Sequence, residues 1–240
     1  MKALTLLLLT CSALGVAACG DDDKELTNPA NSPYEIVVDP ADFAGSTIVD
    51  NQYMPLVPGT VLVYEGGTER IEVEVLHETR TVMGIACVVV RDRVWDEGEL
   101  IEDTYDWYAQ DNDGNVWYMG EDSKEMKGDQ VLNTHGSWES GVDGALPGVI
   151  MLAKPLVGLW YRTEYYEGEA EDLAQILSLN ETVTVRAGTY SGCLKVLDFN
   201  ALEPGVEEHK YYAPGVGVVK EVEVRGGSDA AELIQIRTGQ

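Results

Sequence analysis

The chain is poor in positive charge. Its 240 residues carry 16 Lys and Arg against 42 Asp and Glu, a formal charge of −26. Nucleic acid is therefore not expected as a partner, because binding it relies on basic side chains that neutralise phosphates. An anionic bilayer would repel the same surface. Other signatures are missing too. No C-x-x-C occurs among the four cysteines, which argues against a zinc ribbon or a thioredoxin-like site. No G-x-S-x-G elbow occurs; Gly188-Thr189-Tyr190-Ser191-Gly192 has the wrong spacing. His77, His135 and His209 share no metal-ligand spacing. The acids are spread along the whole chain, which favours solubility in an ion-rich exterior over a dedicated cation site.

What is present begins with an address. Lys2 introduces an uncharged apolar stretch, Ala3 to Val16, that ends in Ala17-Ala18-Cys19. This is the layout of a secretory signal, and the stretch falls short of the roughly 20 residues that span a bilayer. The small pair before Cys19 resembles the lipobox of bacterial lipoproteins. The resemblance implies removal of residues 1–18 and lipidation of Cys19, palmitate included, with the protein held at the bacterial cell envelope, on a periplasmic face or the cell surface. Two or more acyl chains anchor stably where one does not. Residues 19–33, with Asp21-Asp22-Asp23, Pro29 and Pro33, read as a flexible tether.

Residues 34–240 read as one mainly β domain. Tyr34 to Val38 suggests a short edge strand. From Thr60 onward strand follows strand, as in Arg70-Ile71-Glu72-Val73-Glu74-Val75-Leu76, where apolar and charged residues alternate with period two. Gly66-Gly67, Asp113-Gly114, Pro214-Gly215 and Gly226-Gly227 mark turns. A short helix is predicted over Glu169 to Leu179. The chain also resembles itself. Tyr64-Glu65-Gly66 returns as Tyr166-Glu167-Gly168, the run around Cys87 as that around Cys193, and Asp106-Trp107-Tyr108-Ala109 as Lys210-Tyr211-Tyr212-Ala213. The pattern predicts a degenerate duplication of one antiparallel meander, about 58–120 and 156–225, forming a curved sheet, a sandwich or an open barrel. Between the halves runs a Gly-rich connection, Glu121 to Pro155.

Candidate chemistry is sparse. Asp111, Asp113 and Asn115 stand at the first, third and fifth places of an oxygen-ligand loop for calcium, with Asp122 at the twelfth. Val116 occupies the place where an EF-hand needs glycine, and Asp113-Gly114 between aromatic strands is a hairpin signal, which is favoured. Cys87 and Cys193 read either as a disulfide or as two core thiols. His135, Trp138 and Asp143, in the Gly-rich connection, are candidates for the rim of a ligand pocket. A hydrolase using His135 and a nearby serine is a further alternative. No cofactor other than calcium is implied.

Three pieces resemble a set of uncharacterised bacterial secreted lipoproteins: Asp106-Trp107-Tyr108-Ala109-Gln110-Asp111 with Gly114-Asn115-Val116-Trp117-Tyr118, Ser137-Trp138-Glu139 with Gly141-Val142-Asp143-Gly144, and Lys210-Tyr211-Tyr212-Ala213-Pro214-Gly215-Val216-Gly217. No activity attaches to that set. More loosely, tandem meanders behind a lipobox look like the curved half-barrel lipoproteins of the envelope, which implies a sheet cradling something apolar. The expectation is a membrane-tethered, non-enzymatic domain that binds an apolar ligand or an envelope partner.

Overall fold

Alternating residues need a face to bury and a face to wet, and here one curled sheet supplies both. The computed structural model describes residues 28–30 and 32–239. Cys19, the signal and most of the tether lie outside the described residues. A 3-10 turn (Pro40–Phe43), N-capped by the Asp39 side chain, precedes sixteen strands. They are β1 (Thr60–Gly66), β2 (Glu69–Val82), β3 (Ile85–Asp96), β4 (Glu99–Gln110), β5 (Val116–Asp122), β6 (Glu125–Lys127), β7 (Gln130–Asn133) and β8 (Trp138–Glu139), then β9 (Leu146–Met151), β10 (Trp160–Arg162), β11 (Glu164–Tyr165), β12 (Asp172–Val185), β13 (Gly188–Asn200), β14 (Glu207–Ala213), β15 (Gly217–Arg225) and β16 (Ala230–Thr238). No helix among the described residues is long and apolar enough to cross a membrane.

The strands bond in the order β10-β12-β13-β14-β15-β16-β1-β2-β3-β4-β5-β9-β11. All these pairings are antiparallel. The two ends of this path, β10 and β11, are separated in the chain only by Thr163. One stretch of backbone thus bonds β12 through Trp160–Arg162 and β9 through Glu164 and Tyr165, and the sheet curls into a nearly closed barrel. At the seam, Gly148 of β9 approaches Thr163 so closely that a Cβ would lie 2.2 Å from its carbonyl carbon. Only glycine fits there.

Two long hairpins, β2–β3 and β12–β13, are bent by register shifts, between Val75 and Thr79 in one and between Ile176 and Thr182 in the other. Their far ends fold over the outside of the barrel wall. Val82, Ile85 and Cys87 pack with Trp107, Ala109 and Met119. Val183, Val185 and Cys193 pack with Ala213, Val219 and Leu233. Both cysteines are 0% exposed and free, in separate clusters, so they are core thiols and not a disulfide.

One end of the barrel is closed by residues 46–58. Asn51 donates to the carbonyls of Gly114 and Leu152, and its oxygen accepts from the Tyr53 amide. Gln110 accepts from the Asp50 and Asn51 amides, and the Gly215 amide donates to the Gln52 carbonyl. Val49 and Leu56, bridged to one another, enter the core with Val88, Val90, Ile176, Leu194 and Val196.

Three expectations are corrected. Glu169 to Leu179 is not a helix: Tyr166 and Ala170 bracket a turn, and β12 begins at Asp172. Leu173, Ala174 and Ile176 are all buried, because the strand is covered on both faces at that point, and this erased the alternation. Tyr34 to Val38 forms no strand and joins no sheet; it is tied down by the Tyr34 hydroxyl, which donates to the Pro147 carbonyl. The Glu121–Pro155 connection carries four strands of its own, and β9 forms part of the barrel wall.

Candidate functional site

The interior-facing rows of the strands change character along the barrel. Near the plugged end they are apolar, with Val73 and Val75 on β2, Val88 and Val90 on β3, and Leu194 and Val196 on β13. Continuing along the same rows come Asp92 on β3, Asp106 and Glu102 on β4, Asp198 on β13, and Lys210 and Glu208 on β14. Side chains at i and i+2 share a sheet face, so each strand delivers hydrocarbon to the floor and charge to the mouth.

Two contiguous cavities of about 240 Å³ each occupy this interior. They share Asp92, Asp106, Tyr108, Ile150 and Lys210. The inner one has Leu56, Leu62, Val73, Val90 and Val218 in its wall, with the tyrosines Tyr64, Tyr108 and Tyr212. The outer one is walled by Asp92, Glu102, Asp106, Glu121, Glu164, Asp172 and Asp198, with Lys210 its lone cation. Asp92 and Lys210 keep some accessible area only because they face this space; protein surrounds them otherwise.

The charges do not balance. Lys210 pairs with Asp198 at 2.5 Å. The other ion pairs among the described residues use Arg70, Arg80, Arg91, Arg93, Lys124, Arg186, Arg225 and Arg237, none of which lines the two cavities. The Arg91 guanidinium, for example, forks onto Asp103 at 2.7 and 2.9 Å on the outer face. Burial without a paired cation raises several of the interior carboxyls. Burial pushes Asp106, which is 8% exposed, up to about 7, the Tyr118 hydrogen bond opposing the rise and the Glu102 charge adding to it. Burial and the Asp106 charge push Glu121 up to about 8. Burial, then Asp106, Glu102 and Glu221, raise Asp92 well above the usual carboxylate range. Burial would lower Lys210, but Asp198 and Glu221 outweigh it and hold the ammonium charged.

Geometry says the same. The Tyr118 hydroxyl lies 2.5 Å from Asp106 Oδ1 and 3.0 Å from Glu121 Oε2. It has one proton, so it donates to one carboxylate; the second contact is a hydrogen bond only when the other carboxyl is protonated and donates to the phenol oxygen. Burial likewise raises Glu164 and Asp172. Trp138 Nε1 donates to Glu164 Oε2 at 2.9 Å.

Of the predicted rim residues, Trp138 is buried and stands against Tyr118, with ring centroids 5.3 Å apart. It does not line either cavity; it packs behind Tyr118 and Glu164, which wall the acidic one. His135 and Asp143 are exposed, Asp143 in a left-handed turn (φ 51°). The Ser137 hydroxyl is engaged with Ser123, donating to its carbonyl and accepting from its amide, so it is not poised on His135. At the expected hairpin, Asp111 Oδ1 accepts from the Asp113 and Asn115 amides and Oδ2 from Asn115 Nδ2 and Trp117 Nε1. Asn115 Oδ1 accepts from the Ala153 amide, and Asp122 pairs with Lys124. Asp111 and Asn115 thus tie the turn together. Among the described residues no group of acids, histidines or cysteines has metal-binding geometry.

The sequence reading missed Asp92, Asp106, Glu121, Glu164 and Lys210. A signal existed: acids at inward, period-two positions of apolar strands, as in Val88-x-Val90-x-Asp92. A uniform spread of acids along the chain hid their convergence.

No protein-family model and no curated protein matches this chain. Two solved structures are similar to it in fold. One, described as exported and of YmcC-like fold, is from Bacteroides fragilis; it is 15% identical, covers 78% of this chain and 100% of its own, and gives a TM-score of 0.48. The other, described as a lipoprotein, is from Parabacteroides distasonis; it is 13% identical, covers 78% and 99%, and gives 0.42. At these identities and scores neither transfers a residue role.

Proposed function

We propose that this is an exported, lipid-anchored protein whose barrel interior binds the apolar part of a small ligand. The observation that carries the reading is the unfilled inner cavity, floored by the 46–58 plug and walled by Leu62, Val73, Val90 and Val218. Sites of this kind are concave and mostly apolar, with a few polar groups that fix orientation. The described N-terminal residues are held against the barrel seam, where Arg162 Nη2 donates to the carbonyls of Pro29, Ala30 and Ser32. Nine residues then separate an acyl anchor at Cys19 from Pro29, the first residue held at the barrel. The acidic surface needs that anchor, since it has no affinity of its own for anionic lipid.

Two measurements test the reading. Radiolabelled palmitate supplied to cells enters the wild-type chain and not Cys19→Ala; equal labelling contradicts the anchor. The full chain binds one equivalent of the neutral dye N-phenyl-1-naphthylamine with a rise in its fluorescence; absence of binding contradicts the cavity's role.

A further inference from the structure

We infer that the ligand of the barrel interior is an organic cation: a protonated amine whose hydrocarbon part enters the inner cavity and whose ammonium sits among Asp92, Asp106 and Tyr108. The inference rests on the ligand-binding reading and adds the ligand's chemical class.

Three independent features point to a positive group. The first is an orphaned acceptor. Asp92 Oδ1 is buried with no hydrogen-bond partner, and the side chain faces both cavities. A buried polar atom left unpaired costs stability, and an N–H donor in the cavity removes that cost once the carboxyl turns Oδ1 toward it, since Oδ1 itself has almost no accessible area. The second is the shortage of cations. Lys210 is paired with Asp198, and Asp92, Asp106 and Glu121 face the cavity with no ion pair of their own, the Lys210 charge reaching Asp92 only from a distance. The third is the aromatic setting. Tyr64, Tyr108 and Tyr212 line the inner cavity beside the acids, and Tyr108 is stacked on Tyr118 with ring centroids 4.9 Å apart. Tyrosine faces attract ammonium groups, most strongly where water is excluded. The neighbourhood of hydrocarbon and carboxylate then sets the ligand's shape: the apolar floor lies one strand position from Asp92, at Val90, so charge and chain must be adjacent in the ligand. An anion would find a single cation, already paired, in a wall that carries seven carboxyls, and a hydrocarbon chain alone leaves the orphaned acceptor unpaired.

The test uses the full chain with three probes of equal chain length: octylammonium, octanol and octanoate, followed by calorimetric titration at neutral pH. Octylammonium is expected to bind at least tenfold more tightly than octanol, and octanoate least. The Asp92→Asn, Asp106→Asn double variant, close to isosteric, is expected to keep octanol binding and lose the tenfold preference. Retained octanol binding shows that the variant is folded; if the pair fails to fold, Asp92→Asn alone is read in the same way, with a smaller loss of preference. Equal affinity for the amine and the alcohol in the wild type overturns the cation and leaves the cavity reading standing. Tightest binding of octanoate also overturns it. Binding of no probe overturns both. A preference that survives the asparagine variants places the amine elsewhere and overturns the assigned residues.

Discussion

Asp106 and Glu121 show what burying carboxyls in one place does. With folded values near 7 and 8, both bind protons in the folded barrel over a range where the unfolded chain has released them. Stability therefore falls as pH rises from about 4 to about 8, since the unfolded state binds fewer protons across that window. The penalty is fully absent only below the unfolded values. The wild-type melting temperature is expected to be higher at pH 5 than at pH 8. Glu121→Gln is expected to raise stability at pH 8 by on the order of 1–3 kcal/mol, with little effect at pH 5, because it removes one buried titration and leaves an acceptor for Tyr118. A melting temperature that rises from pH 5 to pH 8 in the wild type contradicts this account of the interior. These residues were unreadable as a site in the sequence for a physical reason: each acid is ordinary by itself, and only barrel closure brings β3, β4, β5, β11, β12, β13 and β14 to face one another. The hairpin residues were legible, because Asp111 closes the turn locally by accepting from the Asp113 and Asn115 amides.

At the scale of elements, period-two patterning found most strands, and the misses follow from tertiary burial. β12 lost its alternation where both faces are covered, and Tyr34 to Val38 has a strand's composition with no neighbouring edge to join. The interrupted β10–β11 stretch could not be read as a seam, since each half bonds a different neighbour. The seam makes a testable claim. Gly148→Ala sets a Cβ against the Thr163 backbone, where no rotamer change can relieve it. It is expected to cost about 1–3 kcal/mol in urea denaturation, the usual range for overpacking. A wild-type midpoint would show that the seam is not tightly joined. The two bent hairpins each carry a buried free cysteine over the barrel's outer wall.

For the whole molecule, the feature that matters is an unfilled space at the centre of the barrel. The plug seals one end, and away from it Glu69, Asp96, Glu208, Glu221, Glu223 and Asp229 line a further pocket that meets the inner cavity at Ile71, Glu221 and Ala231 and adds a ring of carboxyls there. Such a ring concentrates cations and repels anions before any contact is made. The fold class was legible in advance from turns and alternation; the inner space was not, because a cavity is what distant side chains leave unfilled. The most direct test is to fill it. Ile150 lines both interior cavities, and Ile150→Trp would occupy the junction between them. The variant is expected to keep the far-ultraviolet circular dichroism of the wild type and to lose binding of the neutral dye. Undiminished dye binding by a folded Ile150→Trp protein would contradict the claim that the barrel interior is the binding site.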